Sequence, residues 1–278
     1  MVNVRHFARV IGAPETWPAW VPAGHRRRSD ALLRSAASVV ELLYHDGWTP
    51  AADTALVVST SYGAVDATWR FGVSMATHGD AHASPTPFTH SVHNSCAGTL
   101  NELLGLHTGG TTLSQGQHGT HAALRWAQLM LQSGRAKTVL ALIGDRHNAW
   151  SRNMVHHLAG VPWPIGEGMV GCVITQNSGP GRRVQPASPQ SATSQPASTL
   201  PMMPLQLEAG TVNSVDEALL AAWPGERRQA AVALQQWWPV SALAAVDAEL
   251  WQSPRALRLA EVEDGHLAAW DFSPWQAQ

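Results

Sequence analysis

Cysteine is almost missing from these 278 residues: Cys96 and Cys172 stand alone. Two thiols so spaced exclude a disulfide framework and a cysteine-rich zinc site. Charge of one sign is missing too. Eighteen basic and 20 acidic residues leave a formal charge of −2, without a basic tract for nucleic acid or an anionic membrane. Long apolar runs are absent: "ALVVS" and "TVLALIG" fall far short of the ~20 residues of a membrane span. The opening "MVNVRHFARV" lacks the apolar centre of a signal peptide. The expectation is a cytoplasmic globular protein without nucleic acid, membrane span, cofactor or metal. What is abundant is tryptophan. Thirteen occur, many beside proline ("TWPAWVP", "VPWPIG", "QQWWPV"), implying broad apolar surfaces that something else covers.

Periodicity predicts an α/β order. "VRHFARVIG", "TALVVST", "AKTVLALIG" and "GMVGCVIT" read as strands. Between them, Leu32, Ala36, Val39, Val40 and Leu43 mark one helical face, "AVDATWRFGVSMA" is helical, and so are residues 97 to 107. Residues 119 to 133 form a helix with Ala122, Ala123, Trp126, Leu129 and Met130 on one face and Gly134 as its stop. "FTHSVH" reads as extended. Strands alternating with helices imply a parallel or mixed sheet covered by helices. Residues 180 to 204, rich in Pro, Ser, Ala and Gln, read as a linker or long loop. Beyond it, "SVDEALLAAW" and "ERRQAAVALQQWW" suggest short helices, and "LRLAEVEDGHLAAWDF" a hairpin turning on Asp264 and Gly265.

Within "THSVHNSCAGTLNELLGL", Cys96 opens a helix, where the dipole favours a thiolate. The competing reading is a small buried residue filling space. His93 and Asn94 precede it and suit a turn, the imidazole bonding to backbone. His78, His82, His90 and His93 have helical metal-ligand spacing, but "THGDAHASPTPF" holds Gly and Pro and has no HExxH pattern. "IGEGMVG" lacks the Lys-Ser/Thr ending of a phosphate loop and precedes a strand. Asp145 ends a strand at the edge where α/β folds place their sites, or simply caps it.

Five stretches together, "HRRRSDALLRSAA", "VVSTSYGAV", "SPTPFTHSVHNSCAG", "LQSGRAKTVLALIGD" and "PIGEGMVGCVI", resemble the N-terminal half of β-ketoacyl synthases. The version most similar is the chain-length-factor-like type of aryl polyene pathways, over roughly residues 1 to 177. The resemblance implies a thiolase-like αβαβα layered fold, truncated in its second half. It divides the chain into a ketosynthase-like half (1–179), the linker (180–204) and a short helical and hairpin segment (205–278). It implies that the strand before the nucleophile pairs with its counterpart in a partner subunit. Placed on "FTHSVHN", that strand makes Phe88, His90, Val92 and Asn94 interface residues. The synthases' second-half motifs of the "HGTGT" and "GFGGHN" kind do not occur after residue 177. "GQHGTH" (116–121) imitates one but sits at a helix start. The expected role is then a non-catalytic subunit of a ketosynthase heterodimer, or a homodimer, visited by an acyl carrier protein. The alternative is an acyltransferase or thioester enzyme using Cys96 as nucleophile with His93, from the loop before it, as base.

Overall fold

A computed structural model of the chain describes residues 2–159, 166–176, 180–186, 242–246, 248–254, 257–263 and 266–276. Its strands are β1 (Val2–Ile11), β2 (Thr54–Ser59), β3 (Gly110–Leu113), β4 (Thr138–Asp145), β5 (Gly168–Thr175), β6 (Arg182–Pro186), β7 (Leu257–Glu263) and β8 (His266–Phe272). The helices are α1 (Ala23–Arg28), α2 (Ala31–His45), α3 (Val65–His78), α4 (Pro85–Ser91), α5 (Ser95–Leu103), α6 (Gly119–Gln132), α7 (Ala149–Ala159) and α8 (Ala248–Trp251). No helix among the described residues is long and apolar enough to cross a membrane.

One eight-stranded mixed sheet runs β3-β2-β4-β5-β1-β6-β8-β7. β2 lies parallel to β3 and β4, whereas β5 is antiparallel to β4 and β1. Strand alternation sorts side chains between two cores. Ala55, Val57, Val139, Ala141, Ile143, Val170, Cys172 and Ile174 face α6. Leu56, Val58, Leu140, Leu142, Met169 and Val173 face α2 and α5. Both sheet faces are therefore covered, which is why these strands read as unbroken apolar runs. Asp30 starts α2 by accepting from the Leu33 amide at 2.9 Å. Gly144 lets β4 approach β5, since a Cβ there would lie 2.1 Å from the Gly168 carbonyl oxygen.

The sheet closes through its C-terminal strands. β7 lies beside the turn at Gly116–His118, although it ends the sheet opposite β3. Trp270 of β8 donates from Nε1 to His121 Nδ1 of α6 at 2.9 Å. Arg182, fully buried in β6, binds the segments that follow: Nε donates to the Trp251 carbonyl (2.7 Å), Nη1 to that of Ser273 (2.7 Å) and Nη2 to that of Ser253 (2.9 Å). Burial pulls its pKa down to about 10, which leaves it charged at neutral pH.

The structure corrects several expectations. "FTHSVH" is not a strand: Pro85–Ser91 is the helix α4, with Pro85 in its first turn. Pro85 and Pro87 lack the N–H that a ladder requires and suit a helix start. Phe88, His90, Val92 and Asn94 thus belong to a helix and the turn after it, and Phe88 and Val92 are 54% and 48% exposed. The beginning of the expected linker is β6, which pairs with β1 and β8; residues 187–204 lie outside the described residues. On α6 the buried stripe is Thr120, Ala123, Leu124, Ala127 and Leu131, while Leu129 is 56% exposed. Small Ala123 and Ala127 let the helix lie close on β2 and β4, displacing Trp126 to partial burial. Strands β7 and β8 pair as the hairpin reading expects; "SVDEALLAAW" and "ERRQAAVALQQWW" fall outside the described residues.

Candidate functional site

The carboxyl ends of β2, β3 and β4 converge, and the side chains that join them come from segments far apart in sequence. Asp145, the last residue of β4, turns Oδ1 toward the loop after β2. It accepts from Thr60 Oγ1 at 2.5 Å, the Ser61 amide at 2.9 Å and the Tyr62 amide at 3.1 Å. Burial raises the Asp145 pKa, opposed by these bonds. Ser61 Oγ donates to the Gly116 carbonyl and Ser59 Oγ to that of Gly119, tying the same loop to the start of α6. Asp145 is thus a strand cap that also fixes the loop, the structural of its two sequence readings.

His93 reaches this loop from the other side. Gly63 has φ +58°, and a Cβ on it would lie 1.8 Å from His93 Nδ1. Only glycine accommodates both the backbone angle and the imidazole. No hydrogen bond joins His93 to Cys96.

Cys96 lies in the first turn of α5 but within the apolar core with Leu32, Leu56, Leu100 and Leu140. Burial pushes its thiol pKa well above the usual value, and the nearby Asp30 carboxylate pushes it further. A helix N-terminus favours a thiolate by ~1 kcal/mol or less, too little against full burial and a facing acid. Cys172 in β5 is also fully buried, its pKa pushed up to about 12 by desolvation. Burial thus holds both thiols toward the protonated form.

After β4 the chain bears a polar group absent from the sequence reading. Buried Arg146 lies 3.2 Å from Glu167, which also takes Arg152 Nη2 at 2.9 Å and the His147 amide at 3.3 Å. His147 packs edge-on to Tyr62, and burial lowers its pKa to about 4, with Arg152 and Arg146 adding to the effect. Asn148 and Ser151 start α7 as a reciprocal cap: the Ser151 amide donates to Asn148 Oδ1 and the Asn148 amide to Ser151 Oγ. The available signal was the strand ends "VVSTS" and "LALIGD" together with Glu167 in "IGEG". Their convergence depends on β2–β4 and β4–β5 pairing, which local pattern does not disclose.

No curated protein matches this sequence. Among solved structures the chain is similar to the ishigamide ketosynthase/chain length factor, at TM-score 0.69 and 18% identity, over 92% of this chain and 83% of that one. It is similar to a type II polyketide synthase acyl-carrier protein complex with its ketosynthase bound to the hexaketide, at TM-score 0.76 and 13% identity, covering 98% and 99%. A β-ketoacyl synthase from Burkholderia phymatum STM815 matches at TM-score 0.62 and 12% identity, covering 95% and 87%. At these identities the likeness is one of fold, the thiolase-like arrangement. Residues 5–203 match the family model "Beta-ketoacyl synthase, N-terminal domain", and the chain belongs to that family.

Proposed function

We propose that the chain is a chain-length-factor-like subunit, itself non-catalytic, that pairs with a full β-ketoacyl-ACP synthase in chain elongation of the polyketide, aryl polyene or fatty-acid type. An acyl carrier protein would deliver substrate to the complex. One observation carries this reading. β3 ends the sheet with no described strand on its outer edge, and it leads through Ser114–His118 into the enclosed helix α6. Strand, short turn and buried helix follow in the order the resemblance implies around a nucleophile, yet "SQGQH" contains no cysteine. An open edge strand of this kind recruits another chain. It therefore replaces "FTHSVHN" as the element expected to pair across a twofold axis. Phe88 and Val92 remain exposed on the neighbouring helical layer and would widen that interface.

The thioester-enzyme alternative gains nothing from Cys96, a buried thiol beside Asp30. The test is incubation of the purified chain with an acyl-carrier thioester, alone and with its ketosynthase, with iodoacetamide as the thiol probe. The expected result is no acyl transfer and no condensation by the isolated chain, and condensation by the pair. Acylation of Cys96, or extension by the isolated chain, would replace this reading with the enzymatic one.

A further inference from the structure

Beside the strand ends, the positive charges outnumber the acids that hold them. Arg34 of α2 and Arg152 of α7 both act on Arg146 as like charges. Glu167 is the carboxylate in contact with this group, through Arg146 and Arg152. Asp66, an acid that also acts on Arg146, is engaged by Arg70 at 3.2 Å and by Asn148 Nδ2 at 3.4 Å. Among the described residues, Arg146 and Arg152 thus share a single contacting carboxylate.

Its nitrogens are also unsatisfied. Arg146 Nε and Nη1, Arg34 Nε and His147 Nε2 are each shielded from solvent without a hydrogen-bond partner. The Nη1 contact with Glu167 lacks hydrogen-bond geometry. Arg146 and His147 are only 8% and 5% exposed. Buried guanidinium donors are costly to leave unpaired and mark a missing acceptor; His147 Nε2 joins them in the tautomer whose Nδ1 accepts from Ser151 Oγ. α7, an 11-residue helix, begins just after them at Ala149, so its N-terminal partial charge adds to the same field.

We infer that Arg34, Arg146, His147 and the start of α7 form a binding site for an oxyanion, a phosphate or carboxylate group, approached past the half-exposed Arg152. Planar guanidinium donors match both groups, and Glu167 holds Arg146 and Arg152 in place. The site does not depend on the pairing proposed above.

The test follows thermal unfolding of the full chain in sodium phosphate, sodium malonate and sodium chloride at matched ionic strength. The expected result is a saturable rise in midpoint with phosphate or malonate relative to chloride, as for any ligand of the native state. A rise with phosphate alone assigns the site to phosphate groups, and one with malonate alone to carboxylates. Two variants locate it. Arg34→Gln alters a residue outside the buried face of α2, and Arg146→Lys keeps a cation against Glu167; each should weaken the apparent affinity at least ~10-fold through lost charge-assisted bonds. Equal midpoints in all three salts would overturn the inference, as would a rise that survives in both variants.

Discussion

α3 and α6 are both 14 residues long, and their surroundings differ sharply. α6 buries seven residues, whereas α3 buries Ala67 alone. The cause is spacing. In α6, Thr120, Ala123, Leu124, Ala127 and Leu131 form one stripe. In α3, Val65, Ala67, Trp69, Phe71, Val73 and Met75 recur every second residue, so a helix distributes them around its circumference. Trp69 stacks on Trp150 at 4.7 Å and Phe71 meets Phe88 at 5.2 Å, yet Trp69, Val73, Met75, Phe88, Val92 and Trp150 remain 37–54% exposed. Apolar content alone does not tell a core from a docking layer. One region is enclosed within the chain, and the other keeps its large apolar side chains exposed.

This contrast predicts where substitutions act. The largest effect belongs to the enclosed half. Arg182→Ala removes the donors that satisfy the Trp251, Ser253 and Ser273 carbonyls and opens a cavity, so urea unfolding should show a loss of about 3–5 kcal/mol. A loss below about 1 kcal/mol would mean that β6 and the C-terminal segments are not one unit.

Next comes acid. His147 has a folded pKa of about 4 against an ordinary 6.5. Its contribution is complete above pH 6.5 and is lost as pH falls from there toward 4. The total, about 3 kcal/mol, should appear as a falling unfolding midpoint across that window and flatten in His147→Gln. Cys96→Ala should cost only about 1 kcal/mol, the value of a small core truncation. Product formation by the ketosynthase complex should persist in that variant, and an assembled complex without turnover would promote Cys96 to catalyst.

The smallest effect on the isolated chain, within about 0.5 kcal/mol, is expected for Val92→Lys at its exposed position. The same variant should fail to co-purify with its ketosynthase, or to self-associate, because assembly would bury an unpaired charge. Undiminished assembly would place the partner away from the α3–α4 layer.

Legibility in the sequence followed the same division. Strands β2, β4 and β5, buried on both faces, announce themselves as apolar runs between glycines, and the β7–β8 hairpin by alternation around Asp-Gly. β3 did not: "GTTL" is short, polar and supported only on one side by β2. α4 looks extended in sequence because Phe88, His90 and Val92 alternate as a strand does, whereas Pro85 and Pro87 mark a helix start. At the candidate site, Asp145 and His93 are visible as residues, but Thr60 and Gly63 acquire meaning only once parallel β2–β4 pairing brings the strand ends together, and Glu167 once antiparallel β5 sets Gly168 opposite Asp145. The thiol of Cys96 was noticed by position, and its burial, which decides its chemistry, depends on α2 and α5 packing over the sheet.

β1 occupies the middle of the sheet, between β5 and β6. Phe7 pairs with Cys172 and Val2 with Val184, so this strand waits for partners made much later. Bringing such distant segments together costs loop-closure entropy before any contact compensates it. Until Arg182–Pro186 has left the ribosome, Val2 and Val4 have no completed sheet to join, and the nascent chain carries a bare β-prone segment. The order of synthesis therefore makes folding of this sheet a late event, with solubility during production governed by that delay more than by final stability.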